Sequence, residues 1–543
     1  MERFLNTETL IIELLLIASL VAIAVRRLRI PYTVALVVVG LLLTFQNPLD
    51  IELTPELILA LFVPPLVFEA AFHINFTELR RNLAGIFVLA VPGVLLTTLI
   101  VGGVLMASAS LSVPIALIFG ALIAATDPVA VVALFRSLGV PKRLAVILEG
   151  ESLFNDGTAI VLFNLILGFV LTGKFNLLDS VFDFLRVSVG GVLVGFALGW
   201  IAARLIARID DYLIETTLTT VLAFGSYLIA EKLNFSGVLA VVAAGLVNGN
   251  IGPQGMSPTT RIVLFNFWEY VAFLANSMVF LLLGLQVNIP AILANLRPIL
   301  WALIAVIAAR IIVVYIMGGL ANRLSDPIPK NWLHILNWGG LRGAICLALA
   351  LSLPQTIGPE RDLLRTMAFG VVLFTLLVQS TTMRPLLHRL RIIIRTDAQV
   401  EYEKRHARLV SWQAAQRHLD RSYQEGLVTT YTWEILKSGL STHINKLTAN
   451  LREMMRMDPV LEAEEMDTAY RDLQRARRSA LLGLRRDGVV SEEVFEDLSA
   501  EVDSSLIGDG YEASIQEILR AADSESIRLA LANYSGLKIT EIT

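Results

Sequence analysis

The sequence predicts an all-α polytopic membrane protein of about thirteen transmembrane helices, followed by a helical tail. Three observations lead there. Hydrophobic residues make up 55% of the 543 residues and charged residues only 17%, with a mean hydropathy of +0.67, a composition foreign to soluble globular domains. Apolar runs long enough to span a bilayer recur with short polar breaks. The pattern then stops near Arg395, and beyond Thr396 the chain is rich in Arg, Glu, Asp and Gln. Two domains are expected: a transmembrane domain over 1–395 and a helical cytoplasmic tail over 396–543.

The apolar segments fall at 8–25, 31–45, 55–74, 84–107, 113–135, 144–171, 181–206, 212–230, 235–249, 263–287, 294–318, 332–353 and 363–384. Those at 31–45 and 235–249 are the shortest against the roughly 20 residues a spanning helix needs. No cleavable signal peptide is expected, because Glu2, Glu8 and Glu13 stand where a basic leader would be. Basic residues set the orientation. One set of alternate connections carries Arg26, Arg27 and Arg29; Arg80 and Arg81; Arg136, Lys142 and Arg143; Arg208; Arg261; and Arg323 and Lys330. The opposite set has none in 46–54 or 108–112, then Lys174, Lys232, Arg297 and Arg361. The first set is read as cytoplasmic. The N-terminus is then outside and the C-terminus inside, where Arg384, Arg389, Arg391 and Arg395 follow the last span. A net charge of −4 gives no reason to expect nucleic-acid binding. The single cysteine, Cys346, excludes an intrachain disulfide.

Ionisable groups within spans are costly and mark ion pathways. Three stretches carry them. In the fifth segment, Thr126-Asp127-Pro128 lies mid-span. Pro128 removes a backbone donor and disfavours helix at Asp127, so the helix is expected to open there. Open backbone at that depth belongs beside protein or a water-filled cavity, as in transporter sites. The plainer alternative is a proline kink with Asp127 capping the lower half-helix. In the sixth segment, Glu149, Ser152, Asn155 and Asp156 share one helical face and offer the hard oxygens an alkali cation takes. Glu151 points elsewhere and needs its own partner. The alternative, a polar loop near Glu149, would leave 158–171 too short to span. In the twelfth segment, Gly339-Gly340-Leu341-Arg342-Gly343 sets three glycines around an arginine. The glycines weaken the helix and admit close backbone approach. A buried Arg342 must be paired, and Glu151 is the best candidate; the alternative is an arginine snorkelling to the interface. Glu69, late in the third segment, either lines a funnel to the site or reaches water. His73 reads as an interface residue, and Glu215 and Glu269 as helix-end residues.

In the tail, Glu425-Gly426-Leu427-Val428-Thr429 and Asp487-Gly488-Val489-Val490-Ser491 look alike. Each reads as a helix ending at Gly, followed by a Ser/Thr-capped start, so helical hairpins are expected. No nucleotide-binding glycine loop and no Cys/His metal spacing is present in the sequence.

Together, Thr126-Asp127-Pro128, Glu151-Ser152 with Asn155-Asp156, and Gly339-Gly340-Leu341-Arg342-Gly343 resemble the cation:proton antiporter-1 family of NhaP-like and NHE-like Na+/H+ exchangers. The likeness covers roughly 8–390. It implies inverted repeats, two crossing discontinuous helices (around 126–128 and 339–343), and a core domain moving against a dimerisation domain built partly from the first and middle spans. It implies that Asp156 binds the ion and the proton. Ser152 is a cation ligand, and Thr126 another through its carbonyl oxygen. Asp127, Pro128 and Asn155 support the crossing, Glu69 approaches the ion, and Glu151 with Arg342 forms a structural ion pair. Asn155-Asp156, in place of two adjacent Asp, resembles the electroneutral branch.

The expectation is an antiporter exchanging Na+, or Li+ or K+, for H+, with no cofactor. It would sit as a homodimer in a bacterial plasma membrane and regulate internal pH and sodium. The tail's partner stays open. Three rivals remain: a cation channel or different ion-coupled transporter, a membrane-bound enzyme, and a sensor read out through the tail.

Overall fold

Helix boundaries follow the local chemistry closely. The computed structural model describes residues 2–28, 31–46, 58–109, 111–173, 176–209, 211–255, 258–392, 397–457, 459–486 and 488–504. Most of the 46–54 connection, the beginning of the third segment, Arg29, Lys174, Arg395, Asp487 and the tail after residue 504 lie outside these residues. No strand occurs among the described residues. The chain divides into two units, Met1–Ile394 and Arg395–Thr543.

The first unit contains α1 (Glu2–Leu28), α2 (Tyr32–Gln46), α3 (Val63–His73), α4 (Phe76–Ala109), α5 (Val113–Ala124), α6 (Val129–Leu138), α7 (Lys142–Thr172), α8 (Leu177–Ile206) and α9 (Tyr212–Lys232). It continues with α10 (Gly237–Gly255), α11 (Pro258–Gln286), α12 (Ile289–Ala294), α13 (Leu296–Leu324), α14 (Lys330–Gly339), α15 (Ala344–Leu351), α16 (Glu360–Phe374) and α17 (Ser380–Arg389). Asp211 caps α9 by accepting the Leu213 and Ile214 N–H groups at 2.8 and 3.3 Å. Asn176 caps α8 through the Leu178 N–H at 3.1 Å. Gly139 and Gly173, at φ +68° and +67°, end α6 and α7 in the left-handed conformation that glycine adopts freely.

Among the described residues, nine helices are long and apolar enough to cross a membrane, with α5–α6 and α14–α15 each counted across its break. Shorter apolar helices cover Ile12–Val25, Tyr32–Leu43, Leu59–His73 and Gly237–Gly252. Every predicted segment therefore has its helix. The membrane crossing of those four stays an expectation, so the count of thirteen is not fixed.

The helices pack in two sets. In one, α2 and α1 lie on α11, while α8, α9 and α3 pack against α10. In the other, α4 packs on α5, α7 and α13, and α15 and α13 pack on α16. Small residues bring backbones together, as expected where lipid offers no hydrophobic drive between helices. A Cβ on Gly195 of α8 would lie 2.0 Å from the Ala240 carbonyl oxygen of α10. The order long helix, broken helix, long helix occurs twice, as α4, α5/α6, α7 and as α13, α14/α15, α16/α17.

The second unit holds α18 (Asp397–Gln424), α19 (Thr430–Met457), α20 (Pro459–Arg486) and α21 (Glu492–Ser504). Gly426 and Gly488 stand at φ +74° and +70°. Leu427 N–H reaches Ser422 O and Val489 N–H reaches Leu484 O, each at 2.9 Å, the same helix stop used twice. Thr429 and Ser491 hydroxyls then accept the N–H groups of Thr432 and Val494. Leu409, Ile444 and Leu451 form a small apolar core between α18 and α19. Trp433 and Lys437 beside Asp420 hold its carboxyl below the usual carboxylate range.

Candidate functional site

The site begins where two helices stop in mid-course. After Ala124 the chain leaves the helix over 125–128, because Pro128 can neither donate a hydrogen bond nor tolerate a helical predecessor. After Gly339 it is again non-helical over 340–343. The two openings cross, and each satisfies backbone groups freed by the other. Asp127 N–H donates to Leu341 O at 2.8 Å. The Cys346 thiol donates to Ala125 O at 3.2 Å. Arg342 N–H donates to Thr375 Oγ1 at 3.1 Å, at the start of a π-turn over Thr375–Gln379 that interrupts α16–α17.

Asp127 holds the crossing together. Its Oδ1 accepts Val129 N–H at 3.0 Å, capping α6, and its carboxylate lies against Gly343 at the start of α15. A carboxylate between two helix N-termini is favourably placed. Gly343 admits it: a Cβ there would lie 2.2 Å from Asp127 Oδ2.

Helix α7 runs past the crossing and supplies Ser152, Asn155 and Asp156 on one face. The Ser152 hydroxyl donates to the Thr126 carbonyl oxygen in a short contact. Asn155 Nδ2 donates to Thr126 Oγ1 at 3.0 Å. Asp156 is 8% exposed and has a buried Oδ1 with no hydrogen-bond partner. Thr126 O, Ser152 Oγ and the Asp156 carboxylate thus gather as hard oxygen donors suited to a small monovalent cation. The same unpartnered oxygen suits a proton.

A cavity of ≈ 750 Å³ adjoins this cluster. Thr126, Asp127, Pro128, Ser152, Asp156 and Cys346 form its wall on the crossing side, and Tyr32, Val67, Glu69, Glu269 and Asn276 the wall from the other helix set. It therefore lies between the two packing sets. Glu69 lines the cavity and pairs with His73 Nδ1 at 3.2 Å, both about one-sixth exposed. Glu149 and Arg136 also line it and pair at 3.4 Å.

The expected pair of Glu151 with Arg342 is corrected. Arg310 of α13 takes both Glu151 oxygens, Nη1 to Oε1 at 2.5 Å and Nη2 to Oε2 at 2.9 Å. Arg310 Nη2 also donates to Leu336 O at 2.8 Å at the end of α14. The reason is direction. Glu151 lies on the side of α7 turned to α13, and the planar guanidinium fork matches both carboxylate oxygens at once. Arg342 sits in the non-helical segment, and its Nη1 folds back on Gly340 O at 3.2 Å.

Sequence reasoning missed Arg310 and Glu269. Both stand inside apolar runs, and an intramembrane charge is itself the signal. Arg310 is flanked by Ala308, Ala309, Ile311 and Ile312. Glu269 was read as a helix-end residue but lies mid-helix in α11 and faces the cavity. Glu215 does sit in the first turn of α9, yet it is fully buried.

Residues 14–389 match the family described as sodium/hydrogen exchanger, transmembrane. The chain is 45% identical over 369 residues to the Na+/H+ antiporter ApNhaP of Aphanothece halophytica, covering 67% of this chain and 70% of that one. It is 34% identical over 505 residues to the Na+/H+ antiporter NhaG of Bacillus atrophaeus, covering 90% and 95%. Its fold is similar to that of the sodium proton antiporter MjNhaP1 from Methanocaldococcus jannaschii, solved at pH 8, with a TM-score of 0.60 at 21% identity over 73% of this chain and 99% of that one.

Proposed function

The chain belongs to the sodium/hydrogen exchanger family, and from that premise we propose that it exchanges Na+ for H+ by alternating access at one competitive carboxylate, Asp156. The observation that carries this reading is the buried, unpartnered Asp156 oxygen beside Thr126 O and Ser152 Oγ at the crossing.

The mechanism follows from charge. Burial disfavours an ionised Asp156. A proton or a cation restores neutrality, and each excludes the other. The empty, charged carrier crosses the low-dielectric barrier slowly, because moving an uncompensated carboxylate through it is costly. Either loaded form crosses readily, so the net result is one-for-one, electroneutral exchange without nucleotide or cofactor. Ser152 and Thr126 act as cation ligands. Asp127 and Pro128 shape the crossing, Asn155 fixes Thr126, and Glu69 attracts cations into the cavity.

The cavity between the two helix sets supports a core that moves against a flanking scaffold. Arg136 and Arg384 border the cavity and belong to the connections read as cytoplasmic, so the form described here faces inward. In this reading the protein sits in a bacterial plasma membrane as a homodimer, with its N-terminus outside and its tail in the cytoplasm, and it regulates internal pH and sodium.

Proteoliposomes loaded with a pH dye test the proposal. Adding Na+ outside should alkalinise the lumen as H+ leaves in exchange, and parallel additions of Li+ and K+ should rank the cations. Asp156→Asn should insert normally and abolish the signal. Exchange at the wild-type rate in that variant would remove Asp156 from the role. A steady current without proton coupling would favour a channel.

A further inference from the structure

The corrected pairing leaves Arg342 with a separate part to play. It is 1% exposed, yet no carboxylate lies within ion-pair distance of it among the described residues. Its one side-chain hydrogen bond goes to the carbonyl of Gly340, and its Nε is buried without a partner. An unpaired buried guanidinium must be balanced by charge nearby. The groups that act on it electrostatically are the Cys346 thiol, Arg310, Glu151 and Asp156.

The fixed charges at the crossing can be counted. Asp127, Glu151 and Asp156 are three carboxylates, and Arg310 and Arg342 are two guanidiniums, so the sum is 2 − 3 = −1. The four half-helix ends meet there too, two positive N-termini and two negative C-termini of roughly half a charge each, and they cancel. Charges farther along the cavity keep contact with water: Glu69, Glu149 with Arg136, and the exposed Glu269 and Arg384. The buried deficit is therefore a single positive charge. Without Arg342 it would be two.

We propose that Arg342 is the fixed countercharge that makes the site demand one monovalent cation rather than two, and so sets one-for-one exchange. This rests on the exchange reading above. Arg342 acts through charge and not by touching the ion, so it is a positioning residue for the ionic balance of Asp156.

The test uses the full chain in proteoliposomes with membrane voltage clamped by K+ and valinomycin. Wild type should exchange Na+ for H+ at a rate independent of voltage; if it does not exchange, or responds to voltage, the exchange reading fails first and separately. Arg342→Gln should bind cations more tightly. At alkaline pH, where protons compete least, its half-saturating Na+ should fall about tenfold, the lower end of what one neighbouring charge does to a carboxylate. Its Na+-loaded carrier keeps a net negative charge, so its rate should change by about threefold for a 60 mV step, the square root of the full-charge factor. Arg342→Lys should keep the wild-type constant and voltage independence. Asp127→Asn, which preserves shape, should do the reverse and weaken Na+ about tenfold. The pair Asp127→Asn with Arg342→Gln restores the count and should return both readouts towards wild type. An inserted Arg342→Gln with wild-type Na+ dependence and no voltage response would overturn the proposal. If that variant fails to insert, an unchanged Na+ constant in Asp127→Asn would overturn it instead.

Discussion

Removing Arg310 should damage this protein more than removing Arg342, which reverses the sequence-based expectation. Arg310 and Glu151 are 8% and 2% exposed in their side chains and share two hydrogen bonds, at 2.5 and 2.9 Å. Arg310→Met leaves Glu151 charged, buried and without its cation. Breaking a buried pair from one side costs about 3–5 kcal/mol, whereas replacing both partners with apolar groups of similar size is often neutral. Arg310→Met also strands Leu336 O, which Arg310 now satisfies, at about 1–3 kcal/mol. Arg342→Met removes a guanidinium with one hydrogen bond to its own segment. The assay is thermal unfolding of detergent-purified protein, following midpoint and monodispersity together. Ranking is the readout, because large membrane proteins commonly unfold irreversibly. Arg310→Met should have the lowest midpoint. The double variant Glu151→Leu with Arg310→Met should recover much of the loss, a coupling beyond about 1 kcal/mol in a mutant cycle. An Arg310→Met midpoint at or above that of Arg342→Met, or strict additivity in the cycle, would refute the reasoning.

Gly343→Ala should abolish most transport while leaving expression intact. The new methyl would fall 2.2 Å from Asp127 Oδ2, forcing that carboxylate off the cap of α6; uptake within twofold of wild type would count against it. Acid on the cytoplasmic side should suppress Na+ uptake by occupying Asp156, and raising Na+ should relieve that suppression at constant maximal rate. Suppression that Na+ cannot relieve would point to a separate pH-sensing group.

Much of this architecture was legible in the sequence, because a bilayer imposes simple rules. A span must be apolar for about 20 residues, so length and composition located every helix of the first unit except the short α12. Pro128 and the glycines at 339, 340 and 343 broke their helices for reasons local to the backbone. Helical periodicity alone put Ser152, Asn155 and Asp156 on one face. Gly426 and Gly488 ended their helices where a left-handed residue was needed.

Which side chain meets which was another matter. Glu151 and Arg310 are 159 residues apart, and nothing in their local sequence states that α7 and α13 turn those faces together. Arg342 stands inside a site motif and looked the natural partner, yet its guanidinium folds back on the Gly340 carbonyl. Glu269 entered the cavity only because α11 of one helix set faces the crossing in the other. Local rules of solvation and backbone geometry settle what each segment becomes. Pairing and charge balance are decided by the packing of distant helices, since electrostatic partners depend on distance in space and not along the chain.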